Sequence, residues 1–153
     1  MGIGLCWLSA CGTTKYLQED ESFVQQNIVT IETEEEIDKP QQLEADLLGI
    51  VLQKPNTRFF GINRRWFYYR NKKKGKLPEQ DEKEAGDRHI YEIPILYDST
   101  LADQTVESMS YFLQDRGYFR PSITYQTDIK KQHADITYIV AVSYTHLTLP
   151  TKA

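Results

Sequence analysis

The chain reads as a single α+β domain: a strand, a helix, a variable middle segment, a second helix and a closing β-hairpin. Three patterns carry this reading. β-Branched residues mix with polar ones at 27–33, apolar residues recur at helical spacing at 43–51 and 102–113, and alternating runs follow at 121–127 and 134–140. A length of 153 residues supports one domain with a modest core. A hydrophobic fraction of 40% beside a charged fraction of 26% fits a folded domain rather than a disordered one. The formal charge of -4 supplies no general attraction for nucleic acid or anionic lipid.

The N-terminus is the first element to justify. Leu8-Ser9-Ala10-Cys11 reads as the processing site of a bacterial lipoprotein signal. Small side chains at Ser9 and Ala10 admit the peptidase, which cuts between Ala10 and Cys11. The Cys11 thiol is the nucleophile that takes the diacylglycerol. Ile3, Leu5, Trp7 and Leu8 make up the apolar part of the leader, residues 1–10. That stretch is shorter than a usual signal core and no Lys or Arg precedes it, so the leader reads as incomplete. Cys6 would leave with the leader and Cys11 would be acylated, which leaves no thiol for a disulfide. No apolar run approaches the roughly 20 residues of a spanning helix. Membrane attachment of this piece is therefore expected through Cys11 or through protein joined to it.

Residues 11–26 read as a tether. Residues 27–33, with Ile28 and Val29 at the centre, read as the first strand, and Glu34-Glu35-Glu36 as a solvated loop. Pro40 stands where a helix can begin, and Leu43, Leu47, Leu48 and Val51 share one helical face. Pro55-Asn56 ends that helix.

Residues 57–70 are dense in aromatics and arginines: Phe59, Phe60, Arg64, Arg65, Trp66, Phe67, Tyr68, Tyr69 and Arg70. Lys72-Lys73-Lys74-Gly75-Lys76 follows, within a polar insert at 71–87. Three readings stand side by side. The segment is a partly buried strand or short helix leading to a solvated loop, or a membrane-interface or partner surface, or a single-stranded nucleic-acid site. An extracytoplasmic address argues against the last, so no nucleic-acid partner is expected.

Glu92-Ile93-Pro94-Ile95-Leu96 is a short extended run whose proline suits an edge or connector. Thr100 with Asp103 resembles a capping box, and Ala102, Val106, Met109 and Leu113 then form a helical stripe widened by Phe112. Gly117 stands where a left-handed helix cap is expected. Ile123 and Tyr125 share one strand face, as do Ile136, Tyr138 and Val140, with residues 128–133 as the polar turn between them.

That order, with Asp115-Arg116-Gly117-Tyr118-Phe119 at the second helix exit, resembles a POTRA domain. The family places a helix ending in Gly-Tyr-Phe before its last two strands. The resemblance implies a β-α-α-β-β domain over 27–141, with two helices packed on a small mixed sheet. Gly117 would let the chain reverse, and the Tyr118 and Phe119 rings would fill the gap between helix and sheet. The motifs Cys11-Gly12-Thr13-Thr14-Lys15-Tyr16-Leu17, Gln53-Lys54-Pro55-Asn56, Phe60-Gly61 and Tyr97-Asp98-Ser99-Thr100-Leu101 are similar to the N-terminus of TamL-type lipoproteins. These are relatives, in Bacteroidetes, of the BamA/TamA outer-membrane assembly factors.

The resemblance implies the N-terminal periplasmic part of an outer-membrane protein assembly or translocation factor. Its lipid at Cys11 would hold it to the outer membrane, and a C-terminal β-barrel would follow in the full-length protein. Expected partners are unfolded outer-membrane proteins or other envelope-assembly subunits, bound by strand addition to a sheet edge. Residues 28–31 and 123–127 are the candidate edges, and proline at Thr124 is expected to weaken the second. The alternative is a stand-alone periplasmic lipoprotein serving as an interaction module. The run Val142-Ser143-Tyr144-Thr145-His146-Leu147-Thr148-Leu149-Pro150-Thr151 is identified as the in-frame translation of a transposon-end sequencing adapter, so 142–153 is set apart from the domain.

Enzymatic chemistry finds no support in the pattern. His89 and His133 lie far apart, and no Ser/His/Asp, metal-ligand or Gly-rich phosphate motif appears. No catalytic residue, metal or cofactor is expected.

Overall fold

The computed structural model describes residues 13–33, 37, 39–76 and 90–143. It is an α+β arrangement: a three-stranded mixed sheet carries helices on one face, and a small hairpin and a further helix extend it. The sheet order is β1-β5-β4, where β1 is Phe23–Thr33, β4 is Phe119–Lys130 and β5 is His133–Ser143. β5 runs antiparallel to β4 and parallel to β1, so the last strand lies between the first strand and its own hairpin partner.

Strand alternation decides which face is covered. Ala134, Ile136, Tyr138, Val140 and Val142 of β5 are buried, while the residues between them are only partly so. Val29 on β1 and the half-buried Ile123 and Tyr125 on β4 share their face. Helix α1, Pro40–Ile50, supplies Leu43 and Leu47 to that face, and helix α3, Ser99–Asp115, supplies Ala102, Thr105, Met109 and Leu113. The opposite face is mixed, with Thr124 and Gln126 exposed on β4 and Ile28 exposed on β1.

Helix ends follow from the sequence. Pro40 occupies the first turn of α1, where its missing N–H costs nothing. The cap of α3 differs from the expected capping box. Asp98 is the N-cap, its Oδ1 accepting from the Thr100 N–H at 2.8 Å, so Thr100 lies inside the helix. Gly117 adopts φ +88° as expected for a left-handed cap. Its N–H donates to the Gln114 carbonyl at 2.9 Å and the Tyr118 N–H donates to the Leu113 carbonyl at 3.0 Å. These two bonds make a Schellman ending, and the buried Tyr118 and Leu113 sit together in the core.

Helix α1 ends at Ile50, with Val51 as its C-cap, rather than at Pro55-Asn56, and four more boundaries differ from the sequence reading. The tether ends early: Thr13 is buried, Thr14–Tyr16 forms a 3-10 turn, and β1 begins at Phe23 rather than at residue 27. Gln25 and Gln26 hid this start, because a register shift between Val24 and Gln26 breaks the alternation there. Phe23 and Val24 are nonetheless fully buried. The expected turn at 128–133 shrinks to Lys131-Gln132, both at positive φ (50° and 59°), which fits a two-residue hairpin turn without the usual Asn or Gly.

The third difference is the middle segment. Arg58–Phe59 (β2) and Ile62–Asn63 (β3) form a hairpin, and Arg64–Lys73 (α2) is helical, so there are three α-helices rather than two. Asn63 caps α2, its Oδ1 accepting from the Arg65 N–H at 3.1 Å, and Arg70, Lys72 and Lys73 in its last turn oppose the helix dipole favourably. The insert expected to begin at residue 71 therefore starts as helix; residues 77–87 of it lie outside the described residues. The fourth is the C-terminal limit, since β5 continues through Ser143, with Val142 buried and paired to Thr33.

Candidate functional site: a sheet edge and a basic aromatic helix

Both candidate edges, 28–31 and 123–127, lie on the margins of the sheet, because β1 and β4 flank β5. The two margins are not equivalent. The start of β1 is already partnered: Phe23 bridges Leu96, the Val24 N–H donates to the Ile95 carbonyl at 3.1 Å, and the Tyr97 N–H donates to the Ser22 carbonyl at 2.8 Å. The extended run at 92–96 is thus a connector laid against β1, as its proline suggested.

β4 is the longer open margin. Across a two-residue turn the flanking pair, here Lys130 and His133, exchanges hydrogen bonds, and the pattern alternates from there. Ser122, Thr124, Gln126 and Asp128 therefore bond β5, whereas the backbone N–H and C=O of Ile123, Tyr125 and Thr127 point outward. The Thr124 N–H serves the internal ladder, so proline at Thr124 acts on the bond to β5 rather than on a bond to an incoming strand. Both ends of the window are blunted. Pro121 and the register shift between Phe119 and Ser122 interrupt one end, and the Asp128–Lys130 ion pair charges the other.

Two side-chain amides position the connector beside the sheet. The Gln53 Nε2 donates to the Asp98 carbonyl and its Oε1 accepts from the Asp98 N–H, both at 2.7 Å. The Asn56 Nδ2 donates to the Ile93 carbonyl at 2.7 Å, and its Oδ1 accepts from the Ile95 N–H at 3.0 Å. Both residues are buried. Each amide imitates a short stretch of strand, so Gln53-Lys54-Pro55-Asn56 works as a double clasp. The sequence displayed this motif but offered no sign of its partners some 40 residues away.

Glu92 extends the clasp. Its carboxylate accepts from the Thr57 N–H at 2.8 Å, from the Thr57 hydroxyl, and from Arg64 Nη1 at 2.8 Å. Desolvation works to raise its pKa, but the Thr57 and Asn56 hydrogen bonds and the Arg64 charge outweigh it and hold the carboxyl below its ordinary value.

α2 carries the second feature. The guanidinium of Arg65, 7% exposed, lies 4.1 Å from the centre of the Phe23 ring, and its Nη2 is 3.1 Å from His133 Nε2. Desolvation is the main cause lowering the Arg65 pKa. His133 Nδ1 lies 2.9 Å from the Lys131 carbonyl, so Nδ1 donates there and Nε2 accepts from Arg65. Tyr69 stacks on Tyr16 with ring centres 4.5 Å apart. Arg65 and Tyr69 thereby seat α2 against the start of β1, and lysines 72–74 and 76 are exposed at its C-terminal end. From residue 58 to 76 the chain holds no Asp or Glu. The β2–β3 hairpin projects Phe60 at 91% exposure, flanked by the exposed Phe59 and Ile62.

Of the residues named from sequence, Gly117 and Tyr118 form the helix ending described above and serve the fold. The backbone of Phe119 opens β4, and its side chain lies outside the described residues. Ala10, Cys11, the leader and His89 also lie outside them. Among the described residues, no cluster of three or more His, Cys, Asp or Glu is placed to hold a metal, and no helix is long and apolar enough to cross a membrane. No protein-family model, curated protein or solved structure matches the chain.

Proposed function

We propose that this chain is the N-terminal periplasmic part of an outer-membrane protein assembly or translocation factor, a POTRA-like module that binds client strands by β-augmentation. The open β4 edge is the observation that carries this reading. Outward backbone groups at Ile123, Tyr125 and Thr127 offer hydrogen bonds whatever the client's sequence, and the blunted ends limit how much strand can add. With the β2–β3 hairpin and α2 taken as an insertion, the remaining order β1, α1, α3, β4, β5 and the Gly117-Tyr118 helix ending supply further support. The chain would be held to the outer membrane by diacylglycerol on Cys11, its partners being unfolded barrel proteins or other assembly subunits.

The register chooses the experiment. A photo-crosslinking residue at Gln126, exposed beside the edge, should capture an unfolded outer-membrane barrel protein. Thr127→Pro removes an outward N–H and should abolish capture while the fold persists, since an edge strand tolerates proline whose N–H faced solvent. Undiminished capture by Thr127→Pro, in protein with a normal circular dichroism spectrum, would sink the β4 assignment.

A further inference from the structure

The hairpin tip and the basic helix are contiguous in the chain. β3 leads directly into α2, so the exposed Phe59, Phe60 and Ile62 stand at the start of a helix about 15 Å long, and the lysines at its end. Exposed phenylalanine at a two-residue tip contributes nothing to the core. A cation-rich stretch without one carboxylate is unusual in a chain of net charge -4. Within α2, Arg70 lies 5.2 Å from the Trp66 ring and Lys72 lies 6.0 Å from the Tyr68 ring, so aromatic and cationic groups are interleaved.

The chain's own course indicates what covers this face. Tyr16 is stacked on Tyr69, so the N-terminal segment leaves the domain from the surface of α2. Two peptide steps separate Thr13 from Cys11, a reach of at most ~7 Å. An acyl group on Cys11 would enter a bilayer close to α2.

We infer that the β2–β3 tip and the lysine-rich end of α2 form a second membrane contact, seated on an anionic phospholipid bilayer. The apolar tip enters the acyl boundary while the lysines meet phosphate headgroups. The diacylglycerol proposed for Cys11 already brings two acyl chains, enough for stable anchoring, so the basic patch would act on the pose of the domain rather than on its retention. The contact would set the orientation of the domain, leaving β4 free on another side of the sheet. This inference deepens the lipid-anchored reading, and it rests on that reading for the choice of a bilayer as the occupant and for the orientation.

The test uses the full chain with Cys11→Ser, so that no lipid contributes, and sedimentation with large vesicles. Binding is expected to phosphatidylethanolamine vesicles containing phosphatidylglycerol, with little binding to pure phosphatidylcholine and a loss at 0.5 M salt (roughly the regime in which surface charge is screened). Lys72→Gln, Lys73→Gln and Lys74→Gln together should lower partitioning by roughly 5-fold for each charge removed near the surface. Phe60→Asp should also weaken binding, without shifting the urea midpoint. Equal binding to neutral and anionic vesicles, or binding that survives both variants and high salt as an apolar leader would produce, overturns the inference. So does no binding at all. Palmitate labelling of the chain with Cys11 intact tests the anchor separately: label at Cys11 with no vesicle binding by Cys11→Ser refutes this contact alone.

Discussion

The Gln53 side chain closes a pair of 2.7 Å hydrogen bonds on the backbone of Asp98, donating to its carbonyl and accepting from its N–H. This ties the segment after α1 to the N-cap of α3, 45 residues further on. The amide is 1% exposed, so water cannot replace it.

Gln53→Ala should therefore cost about 1–2 kcal/mol, since it leaves the Asp98 N–H unmet, while the Asp98 carbonyl keeps the Ala102 N–H at 3.2 Å. Gln53→Glu should cost more, because it sets a carboxylate against the Asp98 carbonyl. Urea denaturation monitored by circular dichroism measures both, and a loss under 0.5 kcal/mol for Gln53→Ala would contradict the clasp.

Gly117 carries a different kind of constraint. A Cβ built there meets no atom within 4 Å, so the penalty lies entirely in its φ of +88°. Gly117→Ala should destabilise by about 1–2 kcal/mol, and Gly117→Asn by less, since Asn tolerates the left-handed region. If both substitutions prove neutral in thermal unfolding, the helix ending is not needed for the fold.

Tyr125 predicts alkaline sensitivity. Its hydroxyl is pushed up to about 12, by desolvation first and then by the hydrogen bond to Asp103 and by the neighbouring Tyr97. The folded state holds this proton more tightly than the unfolded chain does. The associated stability is intact below about pH 10, the ordinary tyrosine value, and is lost as pH rises toward 12. Tyr125→Phe should flatten that decline in urea midpoints measured from pH 8 to 12; an unchanged slope would contradict the assignment.

Glu92 governs the acid side. Its folded pKa lies below the unfolded value, so its contribution is present above the ordinary carboxylate value of 4.5 and is lost as pH falls through the folded one. The carboxylate is a quarter exposed, which limits the effect to a modest one. Glu92→Gln should reduce stability at pH 7 and shrink the difference between pH 7 and pH 3. A wild-type-sized difference in Glu92→Gln would place the acid sensitivity elsewhere.

How much was legible in advance depended on the range of the interaction. The stripe of Ala102, Met109 and Leu113 and the alternation of Ile136, Tyr138 and Val140 each announce a buried face from neighbours a few residues apart. Gly117 marked its own helix ending for the same reason. By contrast, Phe23 resembles tether by local pattern although it pairs in register with His133, because the bulge beside it breaks the alternation. The Lys131-Gln132 turn was blurred since neither residue is a usual carrier of positive φ. α2 was ambiguous because it buries Arg65 and half-buries aromatics, where a simple amphipathic helix would bury aliphatic residues.

By itself, then, the sequence determined the α+β class, the core-facing side of the main helices and of the closing hairpin strands, and the helix ending at Gly117-Tyr118. Those depend on side-chain periodicity and backbone preference, which act within a few residues. Only the tertiary structure decided that β5 lies between β1 and β4, that Gln53 and Asn56 clasp the 93–98 connector, and which backbone groups of β4 face outward. Each of these joins groups far apart in the chain or follows from a register, and no local preference encodes a register. It is set by the burial of Val29, Tyr138 and Tyr125 side by side beneath the helices, where a one-residue slip would turn every one of them to water.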